Sequence, residues 1–104
     1  MPSFDTYEQA RSAFEWDLPD SFNPAVDFVR KHDTDSVALE QAYPDGRRES
    51  YTFGDLDRRS DRLAAGLADL GIEAGDRVGV VVSQKPQNPI THLANWKLGA
   101  VSVP

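Results

Sequence analysis

Apolar and polar positions recur along this chain at two periods. Phe53, Leu56, Leu63, Ala64, Leu67 and Leu70 fall on one stripe at helical spacing, which predicts the longest helix from Phe53 to about Leu70. Thr52 stands before it as the N-cap with Asp55 at N3, and Gly71 stands after it as the C′ residue. On the polar side, Asp55 with Arg59 and Arg58 with Asp61 are spaced to pair. Upstream the period shortens to two. Val37, Leu39 and Tyr43 alternate against Ala38, Glu40 and Ala42, Pro44-Asp45-Gly46 is a turn signal, and Arg48 to Tyr51 returns. This predicts a β-hairpin with one exposed side.

The first residues are patterned more loosely. Asp5-Thr-Tyr-Glu8 reads as a capping box with Asp5 as N-cap, and Tyr7, Ala10 and Phe14 follow at helical spacing. The next stretch, Trp16 to Phe22, is irregular around Pro19, and Trp16, Leu18 and Phe22 are expected to pin this arm onto a body. Asn23-Pro24 opens a second helix whose Ala25, Phe28, Val29 and His32 share a face.

The last third changes character. Ile72 to Asp76 is a turn, and Arg77-Val-Gly-Val-Val-Val-Ser83 is a β-branched run suited to a strand covered on both faces. Pro86 and Pro89 fit the first turn of a helix in which Ile90, Leu93, Ala94, Trp96 and Leu98 are expected to be mostly buried. Ala100 to Val103 is a second β-branched run. Strand, helix and strand in that order predict a right-handed βαβ crossover. The expected fold class is therefore α/β: an N-terminal helical arm and β-hairpin, then the first βαβ unit of a larger, truncated parallel sheet. No internal repeat or interdomain linker is visible.

Composition narrows the function classes. The 104 residues carry a net charge of −6, with Asp in excess and only three Lys. That balance argues against nucleic acid or an anionic membrane as the main partner. Cysteine is absent, which excludes disulfides and thiolate metal sites. The first residues lack the basic and apolar regions of a secretory signal, and no apolar run approaches a membrane span, so a cytoplasmic protein is expected.

Candidate chemistry is sparse. The strand-to-helix turn Ser83 to Pro89 is where an α/β fold places a ligand, yet it holds no glycine and matches neither a dinucleotide fingerprint nor a Walker loop. Lys85 alone reads as a solvated side chain. Ser83 lacks the glycines of a hydrolase nucleophile turn. His32 and His92 have no paired ligand spacing. Asp55, Asp57 and Asp61, interleaved with Arg58, Arg59 and Arg62, read as a solvated helix face rather than a metal site. No catalytic, cofactor-binding or metal-ligating residue is assigned.

Three stretches carry a resemblance. Tyr51-Thr-Phe-Gly-Asp-Leu-Asp57, with Ser60, Arg62, Leu63 and Ala64 behind it, resembles the first core motif of the adenylate-forming enzymes, the acyl-CoA synthetase and AMP-binding superfamily. Gly75 to Val82 is similar to the Gly-Asp-Arg-Val strand that follows, and Trp96 to Pro104 to the second core motif. Upstream, Phe14 to Pro19 and Phe22 to Phe28 resemble the lead-in of medium-chain and aryl acyl-CoA synthetases. The resemblance implies that residues 1–104 are the incomplete N-terminal portion of an adenylate-forming domain.

It implies a reaction in which a carboxylate attacks ATP to give an acyl-adenylate, after which the thiol of coenzyme A displaces AMP. ATP, Mg²⁺ and coenzyme A are implied for a full-length enzyme and none for this segment, because the family's phosphate loop and catalytic lysine follow the second core motif. The chain is expected to be inactive alone. The alternative is a free-standing small acidic α/β binding or assembly protein, which self-associates or pairs with a complementing chain through an exposed sheet edge.

Overall fold

The computed structural model describes residues 3–104. Its central element is α2, Phe53–Asp69. Thr52 and Asp55 form the expected capping box: Asp55 N–H donates to Thr52 Oγ1 and Thr52 N–H to Asp55 Oδ2, each at 3.0 Å. The helix ends on Gly71 at φ +100°, where Gly71 N–H bonds Ala68 O and Ile72 N–H bonds Leu67 O. Those two bonds make a Schellman ending, which needs the left-handed conformation that glycine adopts without strain.

Before α2 lies the hairpin of β1, Val37–Ala42, and β2, Arg48–Thr52, paired antiparallel. After it come β3, Arg77–Gly79, then α3, Gln87–Lys97, then β4, Val101–Val103. β3 and β4 are parallel, with Arg77 opposite Val101 and Gly79 opposite Val103. The arm carries α1, Tyr7–Ala13, and a single π-type turn, Pro24–Phe28. The fold class is thus the one expected: arm, hairpin and a βαβ unit.

The core forms where α2, α3 and the π turn meet. Ala25, Val29, Leu56, Ile90 and Leu93 are buried together, and Leu39, Tyr51, Phe53 and Leu63 pack against them. Asn23 fastens this junction from two sides. Its Oδ1 accepts from Ala25 N–H at 3.0 Å and caps the turn, and its Nδ2 donates to Trp96 O at 2.8 Å near the end of α3.

Several expectations are corrected. The N-cap of α1 is Thr6, not Asp5: Thr6 Oγ1 accepts from Gln9 N–H, and Gln9 Oε1 accepts from Asp5 N–H. The box is not closed: the Gln9 side chain reaches past the cap to Asp5 N–H rather than to the amide of Thr6. Asn23-Pro24 starts one π turn rather than a regular helix, and Phe28 stays exposed. Val37 is exposed because the register slips between Val37 and Leu39.

The valine run pairs only as far as Gly79, with one further bond from Val80 N–H to Val103 O. Val80 is buried, but Val81 is 99% exposed and nothing among the described residues covers it. Trp96 is partly exposed rather than in the core, and Trp16, Leu18 and Phe22 are exposed and lie outside the core cluster of the described residues. On α2, Asp55 pairs with Arg58 at 2.8 Å instead of Arg59, whose guanidinium lies over the Tyr51 ring.

Candidate functional site

The turn from β3 to α3 is the place where this class of fold positions ligands, outside the carboxyl ends of its strands. Ser83, Gln84 and Lys85 are exposed there, and Pro86 stands at the N-cap with no side-chain bond to a free amide. These residues do not fit a triphosphate or its magnesium ion. The turn holds no glycine to let backbone approach a phosphate, and its one lysine is exposed. Among the described residues no pocket is present, and no three metal-binding side chains come together.

Polar chemistry gathers instead at two seams. The first joins α3 to β4. Asn95 is fully buried, and its Nδ2 donates to Ser102 Oγ at 2.9 Å. His92 Nδ1 lies 2.6 Å from the same oxygen. The positions follow from the elements: His92 and Asn95 are one helical turn apart on α3, and Ser102 is the inward residue between Val101 and Val103. The hydroxyl can accept from Asn95 while giving its own hydrogen to Nδ1.

A serine beside a histidine can in principle become a nucleophile. Here the hydroxyl is engaged by both neighbours, and no hydrogen bond from the described residues orients the other ring nitrogen. The trio ties helix to strand. Asn95 Oδ1 is buried without a partner among the described residues.

The second seam joins α2, α3 and the residues after the π turn. Lys97 Nζ donates to Asp57 Oδ1 at 2.6 Å, Asp61 Oδ1 at 2.7 Å and Asp57 O at 3.0 Å. Its side chain is only 8% exposed. Arg30 Nε bonds Asp57 at 3.2 Å and its Nη2 approaches Asp61 at 3.7 Å. Burial pushes the Asp57 carboxyl up, but the hydrogen bonds from Lys97 and Arg30 outweigh it and hold the group below its ordinary value. The α2 carboxylates are thus not one solvated face. Asp57 and Asp61 turn toward another helix, and Arg58 pairs back to Asp55.

On the hairpin, both the Tyr43 and Tyr51 hydroxyls donate to Glu49 Oε2, at 3.0 and 2.9 Å. Those two bonds lower the Glu49 carboxyl and raise both phenols.

His32 is stacked on Phe53 with ring centroids 4.3 Å apart, a packing position. Neither seam follows from the sequence pattern as read. The signals were a polar Ser102 within an apolar run, an Asn95 on the buried side of α3, and Lys97 as one of only three lysines.

The geometry matches known proteins closely. The family model described as AMP-binding enzyme matches residues 27–104. An acetyl-coenzyme A synthetase of Methanothrix thermoacetophila is 33% identical over 92 residues, which is 84% of this chain and 14% of that protein. One from Pyrobaculum arsenaticum is 41% identical over 64 residues, 61% of this chain and 9% of that protein. The crystal structure of a Brucella canis acyl-CoA synthetase superposes with a TM-score of 0.81 at 28% identity, covering 95% of this chain and 20% of that one. The chain spans between 9% and 20% of the length of these relatives. From the π turn through the capping box of α2 to the second parallel strand, the chain follows one stretch of a larger fold, and it belongs to the AMP-binding, adenylate-forming acyl-CoA synthetase superfamily.

Proposed function

We propose that this chain is the structural frame at the N-terminal side of an AMP-dependent acid–CoA ligase, residues 1–104 being part of one adenylate-forming domain. In the reaction that the resemblance implies, a carboxylate and ATP give an acyl-adenylate, and coenzyme A then takes the acyl group. The carboxylic acid, ATP, Mg²⁺ and coenzyme A belong to a full-length enzyme of this kind. No residue of this chain is assigned a catalytic, cofactor-binding or metal role. Thr52, Leu56, Leu63, Asn95 and Gly99 build and fasten the frame. A cytoplasmic location accords with this reading, and no helix of the described residues is long and apolar enough to cross a membrane.

One observation carries the proposal. Nearly the whole chain superposes on an acyl-CoA synthetase, yet it accounts for only a fifth of that protein. Carboxylate-dependent ATP–pyrophosphate exchange on the purified 104-residue chain tests it, with acetate, butyrate and benzoate as acids. No exchange above a protein-free control is expected, and exchange that follows the chain through purification would refute the assignment.

A second reading is favoured by the bare edge at Val81 and by the exposed Val101 and Val103. On it, the chain is a small acidic binding or assembly protein that pairs with itself or with a complementing chain through the β3–β4 edge. Sedimentation at several concentrations separates the two, since the second requires one discrete complex of fixed stoichiometry and the first only open-ended association through the bare edge.

A further inference from the structure

The arm before Asn23 keeps its large apolar side chains exposed among the described residues. Helix α1 buries no residue. Tyr7, Phe14, Trp16, Leu18 and Phe22 are all exposed, Trp16 at 79%, and none joins the core. Phe14 is in extended backbone, at φ −74° and ψ 125°. Its ring meets Trp16 edge-on with centroids 4.9 Å apart, so the two side chains lie on one side of the strand-like stretch. Glu15 and Asp17 alternate with them. Aromatics aligned on one side and acids interleaved with them are what a docking segment presents to a groove.

We propose that Phe14–Phe22 docks on an apolar, basic-rimmed surface of a ligase body contributed by polypeptide outside these 104 residues. This rests on the reading of the chain as the frame of an acid–CoA ligase. Two observations select that occupant. The superposition on the Brucella canis synthetase covers 95% of the chain, too much to leave the arm unmatched, and the synthetase has a further four-fifths of its length to offer as cover. The arm also carries Asp5, Glu8, Glu15, Asp17 and Asp20 against a single base, Arg11, within a chain of net charge −6. A second copy would bring like charge to the contact, whereas a basic rim would complement it.

The test follows Trp16 by acrylamide quenching. In the Trp96→Phe chain, Trp16 is the sole tryptophan and is expected to quench as freely as a tryptophan amide, at low and high protein concentration alike. Shielding in the dilute monomer would overturn the proposal in favour of the chain's own body. Shielding that appears only with concentration would overturn it in favour of a second copy.

The whole chain is then placed in the Brucella canis synthetase in exchange for the matched fifth, and the Trp16 signal is taken as the difference from the same chimera with Trp16→Phe. Quenching of Trp16 is expected to fall severalfold as the docked indole is covered. A cooperatively folded chimera in which Trp16 still quenches freely defeats the docking proposal and leaves the ligase reading standing. If that chimera does not fold, only Phe14–Phe22 is exchanged into the synthetase, where free quenching of Trp16 defeats the docking proposal, and the ligase reading is judged separately by the pyrophosphate exchange assay above.

Discussion

Gly54 shows how much one missing methyl group decides. It sits in the first turn of α2, where glycine ordinarily weakens a helix. A Cβ there would come within 3.0 Å of Thr34 O and 3.1 Å of Arg58 Nη1. The approach is close because the loop before β1 folds over the helix start: Gly54 N–H donates to Thr34 O at 2.9 Å and Phe53 N–H to Ser36 O at 3.0 Å. Two amides that a helix cannot satisfy internally are thereby satisfied. At Gly66, on the same helix, a Cβ would meet nothing within 4 Å. Opposite outcomes are expected from one chemical change. Gly54→Ala should lose about 1–3 kcal/mol through overpacking, and Gly66→Ala should gain about 0.5–1 kcal/mol from helix propensity. Urea denaturation of both variants checks the sign of each.

At the scale of elements, the frame is fastened chiefly by polar side chains that cross between neighbours. Lys97 is the clearest case, since it reaches two carboxylates and a carbonyl on α2 from the end of α3. Lys97→Met keeps the apolar stem and removes the charge. It should cost about 1–3 kcal/mol, because Asp57 and its carbonyl lose a nearly buried charged donor. Thermal denaturation at neutral pH reads this directly.

Acid should loosen the same fastening. Asp57 is held below its ordinary value in the folded chain, as are Asp55, through the Thr52 backbone and side chain and then Arg58, and Glu49, through the two tyrosines. The unfolded chain therefore takes up these protons first as pH falls. The stabilisation is present above the ordinary carboxylate range near pH 4 and is lost as pH drops through the lower folded values. Asp57→Asn should be less stable at pH 7 and show a flatter loss of stability between about pH 4 and pH 2. An acid limb identical to that of the unmodified chain would contradict the role given to Asp57.

The capping box of α2, its Schellman ending at Gly71 and the hairpin turn were legible, since each is set by neighbours in sequence. The partners of Asp57 and Lys97 were not. They are 40 residues apart, and nothing local marks which charges on α2 turn inward.

The whole molecule is too open for its mass. It exposes 7921 Å², against about 5,800 Å² for a compact monomer of 11.5 kDa. Its radius of gyration is 16.8 Å, against about 13 Å for a compact chain of some 100 residues. The excess lies in the arm and around Val81, Val101 and Val103. Low stability and association through the sheet edge are expected for the isolated chain. Val81→Lys should suppress concentration-dependent light scattering while changing the unfolding midpoint little, since the side chain it replaces touches water on all sides. Unchanged scattering would place the association elsewhere.

The order of the elements, the capping box and glycine ending of α2, the hairpin turn, and membership in the ligase superfamily were determined by the sequence alone. These depend on residues within a few positions of one another and on motifs read in line. Tertiary structure decided which polar groups meet across elements, how closely Thr34 approaches Gly54, how far the valine run pairs, and that the aromatic arm stays exposed among the described residues. Those outcomes depend on distances between segments remote in sequence, which no local pattern of apolar and polar positions encodes.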